Sequence, residues 1–239
     1  MNKPLLLLIE SSTNNCSVAL SSGEEIIAVK EQSGKNIHSQ NLTLFIEQIM
    51  NENQLDFSAL HGVVVGKGPG SYTGLRIGMM AAKGICYGAE LPLMAVNTLK
   101  AMASGYRDMN KPEGDQLLCP MIDARRMEVY CAVFNQEFKT IAPTKAEIIS
   151  EESFDFMLRH NPLHFFGEGI EKIRHIIENK KNAHFAGEFL PSATFLAKPG
   201  TEEYDQENFR DLANYEPYYL KDFVPQHSEF KIRKVLGGK

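Results

Sequence analysis

No two cysteines in this 239-residue sequence are spaced as CxxC, and no Cys/His cluster has the spacing of a metal framework. The four cysteines, Cys16, Cys86, Cys119 and Cys131, are scattered. Three of them sit in apolar stretches, where a free thiol behaves as a small buried hydrophobe. A disulfide scaffold is therefore not expected, and a reduced, cytoplasmic protein is. No apolar run approaches the roughly 20 residues of a membrane span. The run from Leu5 to Ile9 is too short for a signal core and ends in Glu10, so a buried strand is expected instead. An excess of positive charge is missing as well. With a formal net charge of −5 the chain is a poor stand-alone nucleic-acid binder, and work on RNA would need a basic partner or an asymmetric surface.

What remains is an average globular composition, 43% hydrophobic and 23% charged, able to fill a sizeable core. Leu5 to Ile9 reads as a strand buried on both faces. Cys16 to Ser21 and Ile26 to Lys30 alternate around Ser22-Gly23, which predicts a hairpin. Leu42, Phe45, Ile46 and Ile49 recur at helical spacing, predicting a helix from His38 to Asn53 with Ser39 as N-cap. Val63 to Val65 is a further buried strand, and a second helix is expected over Tyr72 to Gly88. The order then repeats. Strands are predicted at Leu117 to Ile122, Glu128 to Phe134 and Phe138 to Ile141, then a helix at Glu151 to Arg159, a strand at His164 to Phe166 and a helix at Ile170 to Asn179.

A strand–strand–strand–helix–strand–helix unit thus occurs twice, its first strand closed each time by an acid, Glu10 or Asp123. Two such units make an α/β protein with the two-lobed, actin-like (ribonuclease H-like) fold. Gly105, Asn110, Pro112 and Gly114 cluster near the break. The expected lobes are residues 1–106 and 107–230, the end of the second packing back on the first, with a basic tail at 231–239.

The stretch Gly66-Lys-Gly-Pro-Gly-Ser-Tyr-Thr-Gly-Leu-Arg-Ile-Gly78 runs from a strand through a turn into a helix capped by Ser71 or Thr73. It matches neither GxxxxGK[ST] nor GxGxxG: Lys67 lies too early, and Thr73 occupies the last glycine's place. Within the helix Gly74, Gly78, Ala81 or Ala82, and Gly88 or Ala89 recur in a pattern of three- and four-residue steps. Interior helical glycines cost about 1 kcal/mol each, so something gains by close approach. Packing on the protein's own sheet and packing on a second subunit both account for the stripe.

Leu6-Leu-Leu-Ile-Glu-Ser-Ser-Thr13, Cys16-Ser-Val-Ala-Leu20, the Gly66 to Gly78 stretch, Ala89-Glu-Leu-Pro92, Val96-Asn-Thr-Leu99, Asp123-Ala-Arg125 with Glu128-Val-Tyr130, and Tyr218-Tyr-Leu-Lys221 resemble the TsaB (YeaZ) family. The resemblance implies a non-catalytic subunit of the machinery that forms threonylcarbamoyladenosine at position 37 of tRNAs reading A-starting codons. The paralogous catalytic family, TsaD, carries a metal-binding His-x-x-x-His pair, and Thr98 and Met102 stand at the matching positions here. A hydroxyl and a thioether do not replace two imidazoles. His160 and His164 have helical spacing, but Pro162 between them breaks the helix.

The resemblance further implies a heterodimer with TsaD, a ternary complex with TsaE, tRNA contact only through the complex and no membrane, and it leaves open whether two copies pair as a homodimer when the partner is absent. Leu42, Phe45, Tyr72, Gly74, Leu75, Gly78, Met79 and Ala82 are then the candidate partner-binding residues, with Met80 adding apolar area. Glu10, Asp123 and Arg125 are candidates for the interlobe cleft. No tightly bound cofactor is implied, and ATP or ADP would belong to the joint interface of the assembled complex. Related ATPases carry aspartate where Glu10 stands, and the longer side chain argues against a working ATPase. An active kinase, ATPase or carbamoyltransferase of this fold is the competing reading. A protease is a third, although no GxSxG elbow is present.

Overall fold

The computed structural model describes residues 3–220 apart from 36 and 113. The basic stretch 231–239 and the end of the expected second lobe lie outside the described residues. Two five-stranded sheets account for the fold. The first contains β1 (Leu5–Glu10), β2 (Asn15–Ser22), β3 (Glu25–Ser33), β4 (Gly62–Gly66) and β5 (Leu93–Val96), in the order β3-β2-β1-β4-β5. The second contains β6 (Leu117–Asp123), β7 (Glu128–Phe134), β8 (Thr140–Ile148), β9 (Leu163–Phe166) and β10 (Ala183–Phe185), in the order β10-β9-β6-β7-β8. In each sheet the first three strands pair antiparallel, and the fourth joins the first in parallel. The two orders superpose strand for strand, which is the duplicated actin-like fold. Each repeat is one strand longer than the pattern predicted, because β5 and β10 are short.

Leu6 to Ile9 are fully buried because both faces of the first sheet are covered. On one face α1 (His38–Glu52) and α2 (Tyr72–Ala89) enclose Leu7, Ile9, Val18, Val63 and Val65. On the other, Leu6, Leu8 and Val64 meet Ala101, Leu196 and Ala197. Each such side chain contributes roughly 1.5–3 kcal/mol by leaving water. The α1 N-cap is Ile37, with no side-chain cap bond, so Ser39 lies inside the first turn. At α2 the cap is Ser71, whose hydroxyl accepts the Gly74 N–H.

The expected lobe boundary at 106/107 falls within α3 (Thr98–Asn110), a helix that also includes Gly105. This helix turns Leu99, Met102, Ala103 and Tyr106 onto the second sheet and Ala101 onto the first. Leu117–Asp123, Glu128–Phe134 and Leu163–Phe166 form as strands, whereas the third strand runs from Thr140 to Ile148, beyond the predicted end. The two predicted helices of this lobe shrink to α4 (Asp155–His160) and to a 3-10 turn, Glu168–Lys172, followed by α5 (Arg174–Ile177). A 3-10 turn (Ala193–Leu196) and α6 (Ala197–Asp205) carry the chain back to the first sheet. Leu212 and Tyr215 then pack on the first core, and the Tyr218 N–H donates to the Lys67 carbonyl. Among the described residues no helix is long and apolar enough to cross a membrane.

Candidate functional site

The acid ending β1 points inward. Glu10 is 1% exposed; its carboxylate accepts the N–H groups of Ser11 (2.9 Å) and Ser12 (2.8 Å) and the Thr98 hydroxyl (3.2 Å). Burial raises its pKa above the usual carboxylate range, against the lowering effect of the Ser12, Thr98 and Ser11 hydrogen bonds. Glu10 is thus a buried strand end, held by the backbone N–H groups that follow it and by the first residue of the helix between the two sheets. Asp123 and Arg125 stand apart on the exposed β6–β7 turn, where Asp123 accepts the Arg125 N–H and pairs with Lys172. No hydrogen bond or ion pair joins them to Glu10 among the described residues. Thr98 and Met102 are both fully buried, one bonded to Glu10 and the other packed against the second sheet. His160 ends α4 and His164 lies in β9, stacked on His184. Among the described residues, no group of three potential metal ligands converges.

The stripe on α2 divides. Gly74 and Gly78 face the β1–β2 turn so closely that a Cβ on either would collide with Ser11, the backbone carbonyl at Gly74 and the hydroxyl at Gly78. The Ser11 hydroxyl donates to the Gly74 carbonyl across 2.9 Å. These two glycines serve internal packing. Leu42, Leu75, Met79 and Ala82 are buried in the first core for the same reason, their stripe being the one turned to the sheet. Phe45 is half-buried against that core. Tyr72 lies against Tyr219, the ring centres 4.9 Å apart and the planes tilted by 39°, so a later segment of the chain shields part of it. Apart from Phe45 and Tyr72, then, the candidate partner-binding residues lie inside the protein.

Gly84 and Gly88 differ, because a Cβ on either would meet open space. They belong to an outward row with Arg76, Met80 and Tyr87. Beside this row α1 and α2 frame an open groove of about 450 Å³, with Ile46, Met50, Ala81 and Ile85 along it. Leu44, Phe57, Met80 and Tyr87 expose 50%, 38%, 57% and 83% of their surface on these helices and the adjoining turn. Phe57 and Met80 line the groove itself, and two further exposed apolar groups on the same two helices exceed what scattered surface apolars explain. Of these, sequence reasoning had named only Met80. The 3.6-residue period that marks the buried row also marks the exposed one, offset by about half a turn.

A family model described as TsaD: tRNA N6-adenosine threonylcarbamoyltransferase matches residues 26–207. A Haemophilus influenzae protein named tRNA threonylcarbamoyladenosine biosynthesis protein TsaB is 28% identical over 233 residues, covering 94% of this chain and 96% of its own. The Escherichia coli protein of that name is 34% identical over 153 residues, 61% of this chain and 64% of its own. A solved structure described as YeaZ from Pseudomonas aeruginosa superposes with a TM-score of 0.76 at 21% identity, covering 91% of this chain and all (100%) of that one. That likeness shows a shared fold.

Proposed function

Because the chain belongs to the TsaD family of tRNA N6-adenosine threonylcarbamoyltransferases, in its TsaB (YeaZ) group, we propose that it is the non-catalytic partner subunit in forming threonylcarbamoyladenosine on tRNA. On this reading it heterodimerises with TsaD through the outer face of α1 and α2 and supports TsaE binding. tRNA is met only through the assembly, and ATP or ADP belongs to the joint interface. Without TsaD the same face pairs two copies of this chain.

The observation that carries the reading is the apolar groove between α1 and α2, lined by Phe57 and Met80, with Leu44 and Tyr87 exposed on the same two helices. Gly84 and Gly88 let a second backbone come close. A specific interface buries about 1,600 Å² in total, with most of the energy at an apolar, close-packed centre. The absence of catalysis is argued from Thr98 and Met102, which are committed to the protein's own interior.

Co-expression with TsaD followed by size-exclusion chromatography tests the pairing, and a single co-eluting peak is expected. The chain alone is expected to form no modified nucleoside and to hold no stoichiometric metal by elemental analysis. One tightly bound zinc or iron per chain would restore the catalytic reading.

A further inference from the structure

We propose that His164 and His184 form a proton-sensitive clasp, which holds the outer edge of the second sheet to the interlobe helix α3 while both rings are neutral and loosens when they charge. Strand alternation puts Leu163 and Phe165 on one face of β9 and His164 and Phe166 on the other, where Tyr106 of α3 lies. The Tyr106 ring stacks on Phe166 with centres 4.0 Å apart, and its hydroxyl meets His164 Nδ1 at 3.2 Å. In the parallel register of β9 and β10, His184 stands opposite His164, and the two imidazoles stack with centres 4.9 Å apart. Strand β10 is outermost and three residues long, so few backbone bonds hold it and it opens at little cost.

The other nitrogen of His164, Nε2, is buried and has no hydrogen-bond partner among the described residues. With the neutral ring's proton on Nδ1 and donated to the Tyr106 oxygen, Nε2 keeps only a lone pair. Charging the ring puts an N–H of a cation at that buried place with no acceptor, a costlier omission. The new charge also lies against the second imidazole. No carboxylate compensates it among the described residues. Arg107 and Asp108 of α3 pair with each other, Leu118 of β6 lies beside His164, and Glu168 after β9 has its charged neighbours in Asp123, Glu188 and Lys172. Burial, then His184, lower the His164 pKa from its ordinary 6.5. Below 6.5 the folded state therefore holds fewer protons than the unfolded one, so the clasp is intact above that pH and lost as pH falls toward the folded pKa. Thr98 at the start of α3 is bonded to Glu10, so this helix is tied to a titratable group in each sheet.

Hydrogen exchange of the full chain, read by mass spectrometry as protection factors at about pH 7.5 and about pH 5.5, brackets the ordinary histidine range and tests this. Local exchange is the reading because global stability also carries the opposite effect of Glu10. At the acid pH, protection of β10 and of the α3 turn around Tyr106 should fall severalfold more than that of α1 and β4. His164→Asn, whose amide can keep the Tyr106 bond but takes no charge, should hold its protection at both pH values. Imidazole NMR of the wild type reads the same ring without a variant and should show His164 titrating below 6.5. Equal protection of β10 at both pH values in wild type, an undiminished loss in folded His164→Asn, or a His164 that titrates at or above 6.5 overturns the clasp.

Discussion

The Thr98 hydroxyl donates to the buried Glu10 carboxylate across 3.2 Å, tying the end of β1 to the start of the interlobe helix α3. The same carboxylate holds the Ser11 and Ser12 N–H groups and so fixes the β1–β2 turn, whose Ser11 packs on Gly74 and Gly78 of α2. One acid thereby sets three elements, through interactions that gain from being dry and lose if one partner is removed.

Glu10→Gln should fold and support the modification nearly as well as wild type, read by nucleoside mass spectrometry of tRNA from a complemented strain. Its amide oxygen can still accept the Ser11 and Ser12 donors. The sign of the pH effect follows from burial, which raises the folded pKa of Glu10 above its unfolded value near 4.5. Above that value the folded state holds more protons than the unfolded one, so stability falls as pH rises through the folded pKa. Urea unfolding at a series of pH values should show this decline in wild type and its absence in Glu10→Gln. Thr98→Val, which deletes the hydroxyl donor to a buried carboxylate, should cost about 1–3 kcal/mol.

Much of the first lobe was legible in the sequence because its signals agree. Leu5 to Ile9 and Val63 to Val65 are unbroken apolar runs, and α1 and α2 have clear helical periods, that of α2 opened by the Ser71 cap. The helix α3 was hidden by its composition. Leu99, Met102, Ala103 and Tyr106 follow a helical period, but Gly105 and Asn110 read as turn residues. Gly105 stays in the helix because the Phe195 ring occupies the space a Cβ would need. Phe195 lies 90 residues away, so that reason is tertiary. Strand β8 continues through Pro143 because it is an edge strand and spends no ladder donor there. The direction of the glycine stripe was not legible either, since a period shows that a face is special without showing what it meets.

Gly78→Ala should destabilise the protein by about 1–3 kcal/mol, because its methyl group would occupy the place of the Ser11 hydroxyl. Gly78→Arg should fail to fold rather than merely lose its partner. Chemical denaturation of the isolated chain is the measurement. A stably folded Gly78→Arg that has lost only TsaD would return this glycine to the surface.

The four cysteines are free and buried. Burial pushes the thiol of Cys16 up to about 11 and those of Cys86 and Cys131 up to about 12. Burial also raises Cys119 well above its ordinary value, with Cys131 and Glu147 adding to the shift. Only thiolates react with disulfide reagents. At pH 8 the folded protein should show almost no reaction with an aromatic disulfide, and four equivalents should appear when it is unfolded in guanidinium. Fast reaction of one thiol in the native protein would place that cysteine in an accessible pocket.

Met80→Glu should abolish TsaD binding while leaving the fold intact. Met80 is 57% exposed and stands on the outward row of α2, beside the groove and one turn from Gly84. Replacing it removes a flexible apolar contact and forces a carboxylate into an apolar, dewatered centre. A central contact of this kind costs about 2–4 kcal/mol or more, a thirtyfold to thousandfold loss of affinity. Lys83 supplies the control, because its ammonium reaches the Ala213 carbonyl at 3.5 Å and does not line the groove. Lys83→Glu, a rim charge reversal, should change salt dependence and association rate more than affinity. Surface plasmon resonance on immobilised TsaD, with melting temperatures for each variant, separates the two outcomes. If folded Met80→Glu binds TsaD as tightly as wild type, the groove between α1 and α2 is not the docking face.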